Sequence, residues 1–210
     1  MSAIEKIAAS QNRRDEVPNQ DLARILADRE DTAGIREIAE NLWNKDPAVK
    51  ADCIKVLYEI GYLKPQLIAP YAGDFLKLLT NRNNRLVWGA MIALAAIAPL
   101  QADDLFPEVE KIKKVMAEGS VITVDCGVKV LAGIASQRPA YRQAIFPYLA
   151  EHLRTCRPKE VPQHAESILA AVDGTVKQVF LEVLQKRETD LSPAQITRIR
   201  KVVRAAEKKV

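Results

Sequence analysis

One pattern of apolar residues occurs four times along this chain of 210 residues, and the copies are separated by a nearly constant interval. Each copy carries apolar side chains at i, i+4, i+7, i+8 and i+11, which is the spacing of one face of an α-helix. Leucines at the same place in the four copies stand 37, 37 and 38 residues apart: Leu57, Leu94, Leu131 and Leu169. A period of about 20–50 residues is typical of stacked supersecondary units, because one such unit cannot bury its own apolar face.

A second apolar stripe precedes each copy and keeps the same interval. Its equivalent positions are Ile35, Ala72, Val109 and Phe146; Ile38, Phe75, Ile112 and Leu149; and Leu42, Leu79, Met116 and Leu153. Residues typical of turns separate the two stripes, as at positions 44–47 and 118–120. The pattern therefore predicts units of two antiparallel helices, which we call helix A and helix B.

The first helix B begins with Asp46-Pro47-Ala48-Val49-Lys50, which resembles the Asp-x-x-Val-Arg start of helix B in the HEAT-repeat family. The resemblance covers residues 33–173 and points to small HEAT-repeat proteins of the bacterial type, an armadillo-like α-solenoid class. It implies an all-α fold, a right-handed α-α superhelix of four to five helix pairs. The family's arginine position reads Lys50, Val87, Val124 and Pro162. An Asp/Arg ladder between units is therefore missing after the first unit.

We expect residues 1–210 to form a single solenoid domain with a cap at each end, because solenoids need end units with a polar outer face. Residues 1–32 are expected to form short capping helices, one opened by a Ser2-x-x-Glu5 capping box and one near 19–28. Residues 33–173 hold the four repeats. Residues 174–210 are expected to add a fifth pair, with Ser192 as the N-cap of the last helix and Pro193 at its first position.

Charge and cysteine content limit which partners and which cellular compartment we expect for the protein. The net charge is +4, but residues 192–210 contain six basic residues and one acidic residue, so the rest of the chain is close to neutral. This distribution weakens a nucleic-acid interpretation of the main surface. The chain has three cysteines and no C-x-x-C pair, and its first residues do not resemble a signal peptide. We therefore expect a soluble, cytoplasmic protein that does not contact membranes.

The side of the B helices opposite the core stripe is the candidate binding surface, because in a HEAT-like solenoid it lines the concave face. The second helix B is apolar all round, and such a helix is normally buried unless a partner covers it. We therefore expect Trp88 and Ile92 to be the anchors of a partner-binding groove, since large exposed apolar patches mark interfaces. The alternative is that curvature and the amino-terminal helices cover this surface.

Polar residues around these anchors are the expected supporting contacts of the partner. They are Lys55, Tyr58, Arg85, Asp125 and Lys129. Asp125 and Lys129 stand at i and i+4, so an ordinary pair on a solvated helix is the alternative interpretation. The polar segment 11–20 is interpreted as a solvated connector rather than a recognition loop, and the basic last helix as an end cap rather than a phosphate-binding element.

Chemistry-bearing motifs are scarce. His152 and Cys156 share a helical face and His164 follows, but a fourth ligand is absent, so no metal site is assigned. Nucleophile elbows, glycine-rich phosphate loops and zinc-protease motifs do not occur in the sequence. Asp103 and Asp104 are interpreted as a helix cap. We expect no catalytic residue and no cofactor.

The sequence favours a non-enzymatic scaffold that binds a protein partner on the concave B-helix face. The alternative is a DNA-binding protein that resembles the HEAT-like alkylpurine DNA glycosylases, because Trp88 lies near Asp125. That resemblance lacks a tryptophan-rich run, and the positive charge is terminal rather than concave. A role as a lyase or chaperone for a cofactor-bearing protein has no residue in its favour. The partner and the oligomeric state are not determined by the sequence.

Overall fold

The computed structural model describes residues 2–210, and within that range the backbone is helical and contains no β-strand. Short 3-10 turns connect or extend many of the helices. The α-helices are α1 Val17–Arg29, α2 Thr32–Glu40, α3 Pro47–Leu63, α4 Ala72–Leu78, α5 Asn84–Ile97, α6 Ala102–Leu105, α7 Val109–Glu118, α8 Val121–Ala135, α9 Pro139–Thr155, α10 Val161–Ile168, α11 Lys177–Arg187 and α12 Pro193–Glu207.

The helices form five consecutive A/B pairs, as the period predicts. The pairs are α2 with α3, α4 with α5, α7 with α8, α9 with α10, and α11 with α12. The B helices stack side by side in chain order, since α3 packs against α5, α5 against α8, α8 against α10, and α10 against α12. Helix α1 packs against α3 and closes the amino-terminal end. The predicted all-α helical repeat solenoid is confirmed.

The core consists of the two predicted stripes. Every equivalent position named above for helix A is buried, and Leu57, Leu94 and Leu131 in the B helices have no exposed surface. The fourth copy is different, because α10 ends at Ile168 and Leu169 begins a 3-10 turn in which its side chain is only half-buried. The repeat therefore predicts three of the four B-helix leucines correctly and overestimates the burial of the last.

Side-chain caps set the start of the first three repeat B helices. Asp46 accepts a hydrogen bond from the backbone N–H of Ala48 at 2.8 Å, and Asn83 accepts one from that of Arg85 at 2.9 Å. Ser120 is the N-cap of α8. These residues satisfy backbone donors that a helix leaves without intrahelical partners, so each turn before helix B has a definite end.

The amino-terminal segment is attached to the first unit through carboxylates. The predicted capping box of Ser2 and Glu5 is wrong, because the Ser2 hydroxyl donates to Glu37 instead. The backbone N–H of Ala3 also donates to Glu37, at 2.8 Å, and that of Ala9 donates to Asp52 at 2.7 Å. Two helical carboxylates thus bind the segment by charge-assisted hydrogen bonds, which are stronger than a local cap.

The carboxyl-terminal pair agrees with its sequence signals. Ser192 and Gln195 form a capping box at the start of α12, and Pro193 is its first residue. The basic charge of this helix is partly paired, because Arg198 forms an ion pair with Glu166 of α10. None of the helices in residues 2–210 combines the length and the apolar character that crossing a bilayer requires.

Asp103 has a different role from the predicted helix cap. It lies inside the first turn of α6, where its carboxylate accepts hydrogen bonds from Arg138 and from the Tyr141 hydroxyl, the latter at 2.7 Å. Both donors belong to the beginning of the next unit. The prediction of a cap is therefore wrong, and this carboxylate connects successive units instead.

Candidate partner-binding face

The B-helix face is the side of α3, α5, α8 and α10 that lies opposite the buried leucines. The structure buries three of the seven predicted contact residues, since Lys55, Tyr58 and Ile92 are only 6%, 5% and 8% exposed. Trp88 and Asp125 are half-buried. Arg85 and Lys129 are exposed. The seven residues lie on three adjacent helices, but they differ in how a partner would reach them.

An aromatic cluster lies where α3 meets α5. The Tyr58 ring lies 6.1 Å from the Trp88 ring and 5.9 Å from the Tyr62 ring, measured between centroids. Tyr58 is buried, Trp88 is half-buried and Tyr62 is 62% exposed. Tyr62 was not among the predicted residues, although it stands four residues after Tyr58 and thus on the same helical face.

The amino-terminal segment reaches the first helix of this face through one carboxylate. Glu16 lies 2.8 Å from the Lys55 ammonium and 3.7 Å from the Arg85 guanidinium. Lys55 also pairs with Glu59 at 2.7 Å. Burial alone would lower the pKa of Lys55, but these ion pairs outweigh burial and raise it above its ordinary value. The segment interpreted as a solvated connector therefore covers part of α3.

Helix α5 is apolar all round, as the sequence shows, and most of that surface is covered. Val87, Met91 and Ile92 are buried, and Ala95 is half-buried. The predicted extended apolar groove is therefore reduced to a smaller exposed area around Trp88. Neighbouring B helices cover the rest, since α5 lies between α3 and α8.

The third helix of the face carries a polar arrangement. The Asp125 carboxylate accepts a hydrogen bond from His164 Nε2 of α10 at 2.8 Å, rather than pairing with Lys129. In the part of the chain that the structure describes, Lys129 forms no ion pair. Ile122 lies at the amino end of the same helix and is 44% exposed. Lys129 and Ile122 are thus accessible to a partner.

The geometry defines the class of protein as an all-α, armadillo-like repeat solenoid whose B helices present one continuous side. Solved structures of the same class are similar over nearly the whole chain. A designed armadillo repeat protein in complex with the peptide (KR)4 has a TM-score of 0.70 and 16% identity, covering 89% of this chain and 86% of that one. An engineered protein has a TM-score of 0.69 and 19% identity, covering 99% of this chain and 97% of that one.

A third similar structure is a computationally designed armadillo repeat protein for modular peptide recognition, with a TM-score of 0.58 and 15% identity, covering 98% of this chain and 95% of that one. Identities this low show the shared fold alone. No protein-family model matches the chain, and no curated protein matches its sequence.

Proposed function

We propose that the protein is a non-enzymatic scaffold that binds an extended peptide segment of a protein partner on its B-helix face. The observation that carries the proposal is the aromatic cluster of Tyr58, Trp88 and Tyr62. Its first ring is buried, and the other two are accessible to solvent. Tyrosine and tryptophan are enriched among the residues that dominate binding energy, because they bury large areas while losing little conformational freedom.

Charge near this cluster favours a peptide with acidic residues beside an apolar anchor. Arg85 and Lys129 are exposed; Arg85 has only the 3.7 Å contact with Glu16, and Lys129 pairs with no carboxylate among residues 2–210. We propose that Trp88 and Tyr62 hold the anchor side chain while Arg85 and Lys129 attract flanking carboxylates. Lys55, Tyr58 and Ile92 then act from beneath the surface, and Asp125 acts at its edge.

The similar structures support this proposal at the level of fold. One of them is a complex with the peptide (KR)4, and another is described as designed for modular peptide recognition. A HEAT-like solenoid with a peptide-binding face fits both the repeat and these neighbours, although fold by itself does not determine function. We place the scaffold in the cytoplasm, where the three cysteines, all free in the structure, would stay reduced.

A displayed library of random peptides tests the proposal directly. Peptides are selected on the wild-type chain, and their affinity is then measured for a Tyr62→Ser/Trp88→Ala double variant. We expect enrichment of peptides with an aromatic or large aliphatic residue flanked by Asp or Glu, and a loss of at least about tenfold in affinity for the variant. The matched control is Trp43→Ala, since Trp43 is 50% exposed and lies outside the B-helix face.

The chain contains two tryptophans, which gives a second readout. In a Trp43→Phe variant Trp88 is the only indole, so a selected peptide should change its fluorescence on binding. Selected peptides that bind the double variant as tightly as the wild type would refute the proposed face. Tight binding of duplex DNA at physiological salt, lost in Trp88→Ala, would instead favour the nucleic-acid alternative.

A further inference from the structure

Both histidines of the chain and one of its three cysteines meet at the junction of the fourth repeat with the third. His152 lies near the end of α9, Cys156 is the residue directly after that helix, and His164 lies in α10. Their ligand atoms all lie within 4.8 Å of one another. His152 Nε2 and His164 Nδ1 are 3.0 Å apart. Two imidazoles and a thiol thus point into one small volume.

The surroundings of this cluster orient its members. His164 is fully buried, and its Nε2 lies 2.8 Å from the Asp125 carboxylate. With the proton on Nε2, the lone pair of Nδ1 faces His152 and the position between them. Histidines that bind metals usually donate their other ring N–H to a carboxylate in this way, which fixes the tautomer and the ring plane.

Arg187 fixes the backbone that carries the other two members. Its guanidinium is buried and donates to the carbonyl oxygens of Leu153 at 2.6 Å, Arg154 at 2.9 Å and Cys156 at 2.9 Å. These bonds satisfy carbonyls that the end of α9 leaves unpaired. The same guanidinium pairs with the Asp190 carboxylate at 3.0 Å, which holds it in place.

Burial shifts the pKa of two members of the cluster. Burial, together with the neighbouring His164, lowers the pKa of His152 to about 4, so its imidazole is neutral. Burial raises the pKa of the Cys156 thiol. Binding a cation would release the thiol proton, and the proton on His152 Nε2 would move by exchange with water to Nδ1 of the same ring. The His152–His164 hydrogen bond would then be replaced by two bonds to the metal.

We propose that His152, Cys156 and His164 form a zinc site, with Asp125 holding His164 in its ligating tautomer. Zinc is the cation that best fits a set of two imidazoles and one thiolate, and the three ligand atoms lie close enough together to share one ion. The missing fourth protein ligand does not oppose the assignment, because zinc sites with three protein ligands keep an open position for water or a substrate group. The site shares Asp125 with the edge of the proposed peptide face, and zinc would give the scaffold a metal-dependent element between its third and fourth units.

Titration of the full-length, chelator-treated protein with zinc chloride tests the proposal, with calorimetry as the readout. We expect one equivalent to bind, and affinity to fall at least about tenfold in His152→Gln and in Cys156→Ser, which each lose a ligand. Asp125→Asn should lose about 10–100-fold, because it removes the orienting carboxylate. The matched control is Cys126→Ser, a buried thiol outside the cluster, which should bind like the wild type.

Cobalt and thermal unfolding provide readouts that do not depend on heat of binding. Cobalt(II) should give thiolate charge-transfer absorption in the wild type and in Cys126→Ser, but not in Cys156→Ser. Zinc should raise the Tm of the wild type and of Cys126→Ser clearly more than that of Cys156→Ser, because stabilisation by a ligand of the native state falls with its affinity. The proposal is overturned if zinc produces neither heat nor a Tm shift, or if binding is the same in His152→Gln and Cys156→Ser as in the wild type.

Discussion

The first two B helices and the next two use equivalent positions of the repeat for different purposes. Between α3 and α5, Gly89 allows close packing against Ile54, and the surface above is aromatic and partly covered by Glu16. One and two repeats later, the slot of Gly89 holds Cys126 and then His164, and the surface is polar. The stacking of units thus requires apolar residues at the core positions, whereas the residue types at the other positions differ from one unit to the next.

The largest effect on stability should come from the core. There the same leucine position of the repeat can be compared between the second unit and the fourth. Leu94→Ala removes a fully buried side chain of α5 and should lower the free energy of unfolding by about 3 kcal/mol. Leu169→Ala should cost clearly less, because its side chain is half-buried in a turn. Urea unfolding measures both. Equal losses would mean that the fourth unit is as tightly packed as the second.

Gly89→Ala tests the close packing of the first two B helices. A Cβ at this position would lie 2.8 Å from Ile54 Cγ1, so we expect a loss of about 1–3 kcal/mol. The control is Gly73→Ala in α4, where a Cβ would meet no described atom within 4 Å. That change should stabilise the helix by about 0.5–1 kcal/mol. Thermal unfolding of the two variants should therefore shift Tm in opposite directions.

Glu16→Gln tests how firmly the amino-terminal segment covers the B-helix face. The change removes the charge that pairs with Lys55 and Arg85, and Glu59 remains as a partner of Lys55. We expect a loss of about 0.5–1 kcal/mol and faster hydrogen exchange in the segment. Asp15→Asn is the matched control, since Asp15 pairs with the exposed Arg13 and should have little effect. Unchanged exchange in both variants would contradict a covering role for Glu16.

The smallest expected effect is a weakening at acidic pH of the contacts that hold the amino-terminal segment. The hydrogen bond from Ser2 lowers the pKa of Glu37 below its ordinary value, and burial opposes this without reversing it. A carboxylate with a depressed pKa stabilises the fold above its ordinary value of 4.5, and that contribution is lost as the pH falls through the folded pKa. The protection factor of the Ala3 amide, which is corrected for the slower intrinsic exchange in acid, should therefore fall at acidic pH. In Glu37→Gln the protection factor should already be low at neutral pH, and a well-protected amide there would contradict the prediction.

Much of the fold was readable from the sequence because the signals are local and repeated. The buried stripe of Ile38, Phe75, Ile112 and Leu149 follows from helical periodicity, and the cap at Asp46 follows from hydrogen-bonding chemistry. The failures involve partners that lie far apart in the sequence. Ser2 bonds to Glu37, and Asp103 bonds to Arg138 and Tyr141, where a local cap was expected in both places.

The candidate binding residues also separate into features that the sequence showed and contacts that only the structure revealed. Trp88 stood out because it lies on a helix B that is apolar all round, and the structure leaves it partly accessible. The burial of Lys55 and Ile92 was not readable, since it depends on how Glu16 and the neighbouring helices cover them. The partner role of the seven predicted residues stays a prediction that the peptide experiment tests.

The sequence by itself determined the repeat, the helix pairs and the identity of the core, because apolar spacing acts through the geometry of a single helix. Only the tertiary structure decided which polar residues meet. His164 reaches Asp125, 39 residues earlier, and His152, 12 residues earlier, since stacking brings α8, α9 and α10 together. Such contacts depend on distances of a few ångströms between units, and a periodic pattern does not specify them.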